Sequence, residues 1–322
     1  MSEKIPDDVV AVATAVAGGI LGANADTSPI DTLAPMPGGA SGALLFTMDV
    51  NGATYVVRKP GTFGGPIERE KLDRALDCMR IASELGVAPE LIHSDQSTGI
   101  TIVRKIEGTS ITRGTPRDTD PLGKLAHALR TLHAGPAMPG EIPPGPYRAF
   151  SAMLEQQGRA LPAQLVLAIE AAAAELVGVR TAPCHRDLNP TNLIATPDRV
   201  YLIDWDTAGP ADPLFDIALA TVWVCRDAAE RITFLTSYLE RAPDAGELRR
   251  LDVNRVLAFG FYSMGFHAIA AMQGRPIVED GLSLEQLFAR MAAGGPMFAM
   301  EEMAAALVKE ALHEAKAAGL LS

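Results

Sequence analysis

The stretch Pro183–Asp216 limits what this chain can fold into more than any other, because it places polar residues at fixed spacings between apolar segments. His185, Asp187 and Asn192 stand in a polar loop that contains a proline. A short run of β-branched and apolar residues follows and ends in Asp204, which predicts a buried strand with a carboxylate at its end. A loop and a strand end of this kind can aim several polar groups at one point.

These residue types suit phosphoryl transfer. Moving a phosphoryl group from ATP requires a carboxylate that orients the acceptor hydroxyl and takes its proton, and oxygen ligands that hold Mg²⁺ on the nucleotide phosphates. Asp187 suits the first role, and Asn192 and Asp204 suit the second. Either fragment alone is more often a turn or helix-capping element. The combination is much harder to obtain by chance, so we predict an active site here.

The same residues resemble a known family. His185, Asp187 and Asn192 match the HxDxxxxN catalytic loop shared by protein kinases and the aminoglycoside phosphotransferase and choline kinase group. Asp204 matches the metal-binding aspartate that follows this loop in the family. The resemblance implies that His185 supports the loop structurally, and that Asp216 is a buried support of the same loop.

Details separate the subfamilies. Asn189 stands where protein kinases carry lysine, Asp204-Trp205-Asp206 replaces their DFG triplet, and no APE triplet follows. The run Asp212–Ala218, DPLFDIA, is most similar to bacterial choline/ethanolamine kinase-like proteins. The resemblance implies an α+β, two-lobed protein-kinase-like fold. Its N-terminal lobe, with a small antiparallel sheet, is expected at residues 1–107, and a mainly helical C-terminal lobe at residues 108–322.

The N-terminal part holds the expected nucleotide-binding elements. Asn51-Gly52 separates two strand-like runs and is the strongest short hairpin signal. Gly39 and Gly42 precede the first run, where a glycine-rich loop can bring its N–H groups close to phosphates. At the end of the second run, the resemblance favours Arg58 over Lys59 as the cation on the α- and β-phosphates, since the group often shows an apolar-apolar-Arg-x-Pro-Gly pattern.

A helix is predicted from Glu68 to Leu85, where apolar residues recur at helical spacing. Kinase-like folds place an acidic residue on this helix to pair with the strand cation. Glu70, Asp73 and Asp77 are all available, and periodicity does not choose among them. We name Glu70 as the candidate.

Composition sets outer limits. With 322 residues, 48% of them apolar, the chain can bury a large core. A formal net charge of −11 argues against nucleic-acid and anionic-membrane binding. Val9–Ala23 is too short and glycine-interrupted to span a bilayer, so we expect an N-terminal helix packed on the first lobe. Three widely spaced cysteines without a CxxC motif favour a reducing, cytoplasmic location.

The expected activity is transfer of the γ-phosphate of ATP, with Mg²⁺, to a hydroxyl of a small molecule by a monomer or homodimer. The resemblance favours choline, ethanolamine or a similar amino alcohol as acceptor. One alternative is an aminoglycoside or other antibiotic kinase, and another is a catalytically silent kinase-like protein that binds nucleotide. Because only 5% of the residues are aromatic, the sequence does not identify an acceptor pocket.

Overall fold

The computed structural model describes residues 5–22, 32–36, 42–61, 69–278 and 281–321. The fold contains both helices and strands (α+β) and separates into two compact units. The first unit comprises residues 1–111, 116–139 and 190–208, and the second comprises residues 112–115, 140–189 and 209–322. Gly39 and the predicted helix start at Glu68 lie outside the described residues.

Five antiparallel strands form the main sheet of the first unit. They are β1 (Ala34–Met36), β2 (Leu44–Val50), β3 (Ala53–Lys59), β4 (Leu91–Ser94) and β5 (Thr101–Arg104), in the spatial order β1-β2-β3-β5-β4. The predicted hairpin is confirmed, because Asn51 and Gly52 join β2 to β3 with φ angles of 52° and 77°. Both angles lie in the left-handed region that a two-residue turn between antiparallel strands favours.

An N-terminal helix, α1 (Asp7–Gly19), packs against this sheet. Alternate β2 residues, Phe46, Met48 and Val50, are buried in a common core with the apolar side of the helix. Burial on every second strand residue is the pattern expected of a sheet with one covered face. The prediction of a helix packed on the first lobe is confirmed.

The first unit also contains two helices and a small sheet: α2 (Arg69–Glu84), α3 (Pro121–His133), and the antiparallel strands β6 (Thr109–Ser110), β8 (Leu193–Ala195) and β9 (Val200–Leu202). Gly86, with a φ of 71°, follows the end of α2, in agreement with the predicted stop. The N–H of Leu202 donates to the carbonyl of Val87 at 2.8 Å and joins β9 to the segment after α2.

The second unit is mainly helical. It contains one antiparallel strand pair, β7 (Ala182–Cys184) with β10 (Gly209–Ala211), and the helices α4 (Gly145–Gln156), α5 (Ala163–Glu175), α6 (Pro213–Val224), α7 (Ala228–Leu239), α8 (Ala245–Met272), α9 (Leu284–Ala292) and α10 (Met300–Ala317). Among the described helices, none combines the length and the apolar character that spanning a bilayer requires.

Helices α6 and α8 form the centre of the second unit. The helix α6 is buried on all sides from Leu214 to Val224, and α8 packs against α5, α6 and α10. The sequence after Asp216 predicts a helix from Ile217 to Cys225, and the observed helix begins four residues earlier. The helix begins at Pro213 because Asp212 caps it, accepting from the N–H of Leu214 at 3.0 Å, and proline favours the first helical position.

The units are not continuous segments. The expected boundary between residues 107 and 108 lies near the first exit from the first unit, after Ile111, but the chain returns for residues 116–139 and 190–208. The second return follows from strand pairing, since β8 pairs with β6 and β9 pairs with β8. Asn192 and Asp204 therefore belong to the first unit together with Arg58, and Asp187 belongs to the second.

Candidate active site

Asn192 and Asp204 lie at the same end of one hairpin in the first unit. Strand β8 begins directly after Asn192 and pairs with β9 so that Leu193 stands opposite Leu202. The N–H of Ile203 donates to the Asn192 carbonyl at 3.1 Å and extends this pairing by one step. Backbone hydrogen bonds therefore place the two residues that the sequence predicts as metal ligands at the same end of the hairpin.

The backbone at Asp204 is held in an unusual conformation. Its φ is 67°, in a region where a residue other than glycine is strained by roughly 1–3 kcal/mol. The next residue, Trp205, anchors the loop, since its side chain is buried and its indole N–H donates to the Leu202 carbonyl at 3.2 Å. The N–H of Ala208 donates to the Trp205 carbonyl at 3.1 Å. The buried indole explains how the strained position is maintained.

Arg58 at the end of β3 forms two ion pairs with this loop. Its Nη2 lies 3.3 Å from Asp204 Oδ1 and 2.6 Å from Asp206 Oδ2. The neighbouring cation takes a different direction, because Lys59 Nζ lies 2.6 Å from Asp8 Oδ2 in α1. Of the two cations that the sequence offers, the structure brings Arg58 to the predicted metal ligand.

The charges in this group influence one another. Burial raises the pKa of Asp204, the adjacent Asp206 carboxylate raises it further, and Arg58 lowers it, which together give a value of about 6. For Arg58, burial lowers the pKa, but Asp206 and Asp204 outweigh this effect and raise it. The guanidinium group shows that this loop accommodates a positive charge between its carboxylates.

The donor set fits Mg²⁺. Asn192 supplies an amide oxygen and Asp204 a carboxylate, and hard oxygen ligands of this kind suit that ion. Asn192 is buried, and its Oδ1 is 3.5 Å from Thr191 Oγ1. Asp206 places a third oxygen-bearing side chain two residues after Asp204. The chemistry of these residues agrees with the predicted role of Asn192 and Asp204.

Helix α2 contributes an arginine to the same loop. Arg74 Nη2 donates to the Asp206 carbonyl at 2.8 Å. Glu70, the predicted partner of the strand cation, is exposed in the first turn of α2 and has no ion-pair partner among the described residues. Asp73 and Asp77 pair with arginines of their own helix. Sequence reasoning misses Arg74, although it follows Glu70 by one helical turn and so shares its face.

The Asp187 loop (His185–Asn189) lies in the second unit and is attached to α6 through its backbone. The Asp216 carboxylate accepts from the N–H groups of His185 and Arg186, both at 2.8 Å. Asp216 is fully buried in the first turn of α6. This pair of hydrogen bonds confirms that Asp216 is a buried support of the loop.

Further contacts within the loop involve Asp187 itself. The buried imidazole of His185 accepts from the Asp187 N–H through Nδ1 at 3.3 Å, and Asn189 Nδ2 donates to Asp187 Oδ1 at 3.0 Å. The first contact agrees with the structural role expected of His185. The second orients the carboxylate that the sequence predicts as the proton acceptor.

A group of aromatic side chains in the second unit includes Tyr262, which interacts electrostatically with Asp187. Trp223 of α6 and Tyr262 of α8 pack edge to face with ring centroids 5.1 Å apart, and Phe266 and Phe288 each lie 6.1 Å from Trp223. Burial raises the pKa of Tyr262, and the negative charge of Asp187 raises it further. Sequence reasoning leaves this group unassigned, because helical spacing on α8 is equally typical of core residues.

Residues 32–251, more than half of the chain, match the model of the APH family, described as a phosphotransferase enzyme family. The chain belongs to this family. The match confirms the predicted resemblance and the predicted class of enzyme, a phosphotransferase. It includes both the Asp187 loop and the Asn192–Asp204 hairpin.

Solved structures share the fold of this APH-family chain. A choline/ethanolamine kinase family protein from Mesorhizobium loti aligns with a TM-score of 0.61 and 21% identity, covering 96% of this chain and 99% of that one. The macrolide 2'-phosphotransferase MphH from Brachybacterium faecium aligns with a TM-score of 0.55 and 19% identity, covering 94% and 98%. These likenesses confirm the predicted kinase-like α+β fold.

One sequence relative shows a short, closer match. Protein LicA of Haemophilus influenzae is 56% identical over 36 residues, which are 11% of this chain and 14% of LicA. The match therefore covers far less than two thirds of that relative. It supports a local likeness and leaves the acceptor of this APH-family enzyme to be inferred from its own residues.

Proposed function

We propose that this APH-family enzyme transfers the γ-phosphate of ATP to a hydroxyl group of a small molecule. The observation that carries the proposal is the hairpin end where Asn192 and Asp204 meet, with Arg58 ion-paired to Asp204 at 3.3 Å. Asn192 and Asp204 would hold Mg²⁺. When bound, this ion neutralises charge on the nucleotide phosphates.

Arg58 binds the nucleotide phosphates in this proposal. Its two ion pairs with Asp204 and Asp206 both use Nη2. A guanidinium group has five N–H donors, so Nε and Nη1 keep donors for the α- and β-phosphate oxygens. Gly42 adds backbone N–H groups from the glycine-rich loop. Its φ of 72° lies in the left-handed region that favours glycine, and we propose that Gly39 acts with it.

Asp187 orients the acceptor hydroxyl and accepts its proton through a carboxylate oxygen. Asn189 fixes one oxygen of this carboxylate at 3.0 Å, and Asp216 and His185 accept from the backbone N–H groups that lead up to and include that of Asp187. Such preorganisation matters because phosphoryl transfer is accelerated mostly by positioning and by electrostatic stabilisation. We also propose that Glu70, an acidic residue in the first turn of α2, belongs to the nucleotide site.

We propose an amino alcohol, choline or ethanolamine or a close analogue, as the acceptor. Support comes from the aromatic group that includes Tyr262, since aromatic faces bind ammonium cations. A neighbouring contact shows that one of these rings already holds a cation, because the Arg113 guanidinium lies 4.8 Å from the centroid of Phe288. The chain's net charge of −11 is also compatible with a cationic substrate.

Two other functions make different predictions. An antibiotic kinase would use the same transfer residues on a larger acceptor, and the fold likeness to the macrolide phosphotransferase is the observation that favours it. A catalytically silent nucleotide-binding protein would bind ATP and transfer nothing. The acceptor that is phosphorylated, or the lack of one, separates these possibilities.

The test is phosphate transfer from ATP with Mg²⁺ to choline, ethanolamine, a sugar, an aminoglycoside and a macrolide. Turnover of an amino alcohol by the wild type, and a loss of about 10²–10⁴-fold in kcat for Asp187→Asn, would support the proposal. Asp198→Asn is the matched control, because it makes the same chemical change at an exposed residue of the hairpin turn. Nucleotide binding without turnover of any acceptor would favour the silent protein.

A further inference from the structure

Arg74 is an internal residue of α2 whose guanidinium contacts the loop after β9. Its Nη2 donates to the backbone carbonyl of Asp206 at 2.8 Å. A hydrogen bond to a main-chain carbonyl fixes the backbone itself, whatever charge the Asp206 side chain carries. The contact therefore acts on the same short loop that holds Asp204.

The other arginines of this helix behave differently. Arg69 and Arg80 are exposed and pair with acidic residues four positions further along α2. Glu70 stands four positions before Arg74 on the same helix, yet Arg74 donates to the Asp206 carbonyl. Among the arginines of α2, Arg74 is thus the one that contacts the backbone of the loop after β9.

The environment of Arg74 argues against a role in local stability alone. Its Nε is buried and has no hydrogen-bond acceptor among the described residues. A buried donor without a partner destabilises a protein by about 1–3 kcal/mol. An apolar side chain would avoid this cost, so the contact with Asp206 needs another explanation.

The loop requires support from outside the hairpin. Asp204 has a strained φ of 67°, and Trp205 anchors the loop on one side of Asp206. Arg74 holds the carbonyl on the other side. Residues that orient metal ligands from outside the coordination sphere typically change metal affinity or activity by about 10–100-fold when they are replaced.

We propose that Arg74 is a positioning residue that keeps the Asp204–Asp206 loop in the conformation that binds the divalent cation of the nucleotide complex. The inference rests on the proposed function, because it concerns the same metal ligands. It adds α2 to the elements that determine metal affinity. In this role Arg74 acts through the backbone of Asp206 and does not itself contact the substrate.

The experiment measures Mn²⁺ binding by electron paramagnetic resonance in the presence of a non-hydrolysable ATP analogue, so no acceptor is required. Arg74→Met should weaken Mn²⁺ binding by about tenfold. Arg74→Lys, whose ammonium group can still donate to the Asp206 carbonyl, should retain most of the affinity. Arg80→Met is the matched control and should bind like the wild type, since it removes an exposed arginine from the same helix.

A kinetic readout separates positioning from general damage. The Mg²⁺ concentration for half-maximal activity should rise in Arg74→Met, while kcat at saturating Mg²⁺ stays near the wild-type value. Arg74→Gln is measured in the same way in case the methionine variant does not fold. Equal Mn²⁺ affinity in the wild type and a folded Arg74 variant would overturn the inference. Absence of Mn²⁺ binding in the wild type would instead contradict the proposed function.

Discussion

The Asn192–Asp204 hairpin and the Asp187 loop are held in place by different kinds of interaction. Around Asp204, charged side chains dominate: Arg58 pairs with two carboxylates, and burial and charge raise the pKa of Asp204 to about 6. Around Asp187, a single buried carboxylate, that of Asp216, accepts two backbone N–H groups at 2.8 Å. We infer that the ion pairs around Asp204 can be exchanged for other charged partners. The Asp187 loop cannot lose its hydrogen bonds to Asp216 without a change in its backbone conformation.

This difference matches the chemistry proposed for each region. A site that receives a nucleotide and a metal ion benefits from ion pairs that can be rearranged when those charges arrive. A proton acceptor needs a fixed position, because catalysis is sensitive to small displacements of the reacting groups. The comparison predicts large stability effects at Asp216 and mainly functional effects at Arg58.

The largest effect is expected for Asp216→Ala. The change leaves the N–H groups of His185 and Arg186 buried without their acceptor, and each such group costs about 1–3 kcal/mol. We expect the free energy of unfolding to fall by about 2–6 kcal/mol and kcat to fall with it. Urea unfolding, monitored by tryptophan fluorescence, measures the first quantity.

A matched control comes from Asp227, which caps α7 by accepting from the N–H of Glu230 at 2.9 Å but is exposed. Asp227→Ala should lower the free energy of unfolding by about 1 kcal/mol, the usual cost of losing a cap. If Asp216→Ala were no more damaging than Asp227→Ala, the buried carboxylate would not be what holds the Asp187 loop.

The second effect is expected for Arg58→Met. Removing the guanidinium takes away the proposed phosphate donors, so the KM for ATP should rise about tenfold, equivalent to 1.4 kcal/mol of binding free energy. The free energy of unfolding should change little, because the Asp204 and Asp206 side chains are each about one third or more exposed and water can solvate their carboxylates when the guanidinium is gone. Steady-state kinetics with varied ATP provides the measurement. A large loss of stability with an unchanged KM for ATP would mean that Arg58 stabilises the fold and does not bind the nucleotide.

How much the sequence predicts differs between these regions. The Asn51-Gly52 hairpin and the placement of Asn192 and Asp204 at one hairpin end depend on local signals, and the structure shows both. Arg74 was missed because its partner is a backbone carbonyl, 132 positions away in the chain. Side-chain patterns do not reveal an acceptor of that kind.

The start of α6 and the division into units show the same limit. Asp212 is a possible helix cap in the sequence, but it is also the first residue of the DPLFDIA motif, and the sequence alone predicts the helix start too late. The second return of the chain to the first unit, at residues 190–208, depends on pairing of β6 with β8, two very short strands. Short strands carry little periodicity, so tertiary pairing determined what local signals did not.

The smallest effect is expected at the cation next to Arg58. Lys59 pairs with Asp8 of α1 at 2.6 Å, and its hydrogen bond lowers the pKa of that carboxylate, against a weaker opposing effect of burial. Both side chains are substantially exposed, so Asp8→Asn should lower the free energy of unfolding at pH 7 by only about 0.2–1 kcal/mol. The KM for ATP should not change, since Lys59 is not the proposed phosphate ligand.

The stabilising effect of Asp8 should depend on pH. Because the folded-state pKa of Asp8 is lowered, its stabilising contribution is present above the unfolded-state value of about 3.9 and is lost as the pH falls through the lower, folded-state pKa. Wild type and Asp8→Asn should therefore differ at pH 7 and converge in acid, as measured by urea unfolding at several pH values. Lys59→Met serves as the partner control. A rise in the KM for ATP in Lys59→Met, equal to that in Arg58→Met, would mean that both strand cations bind the nucleotide.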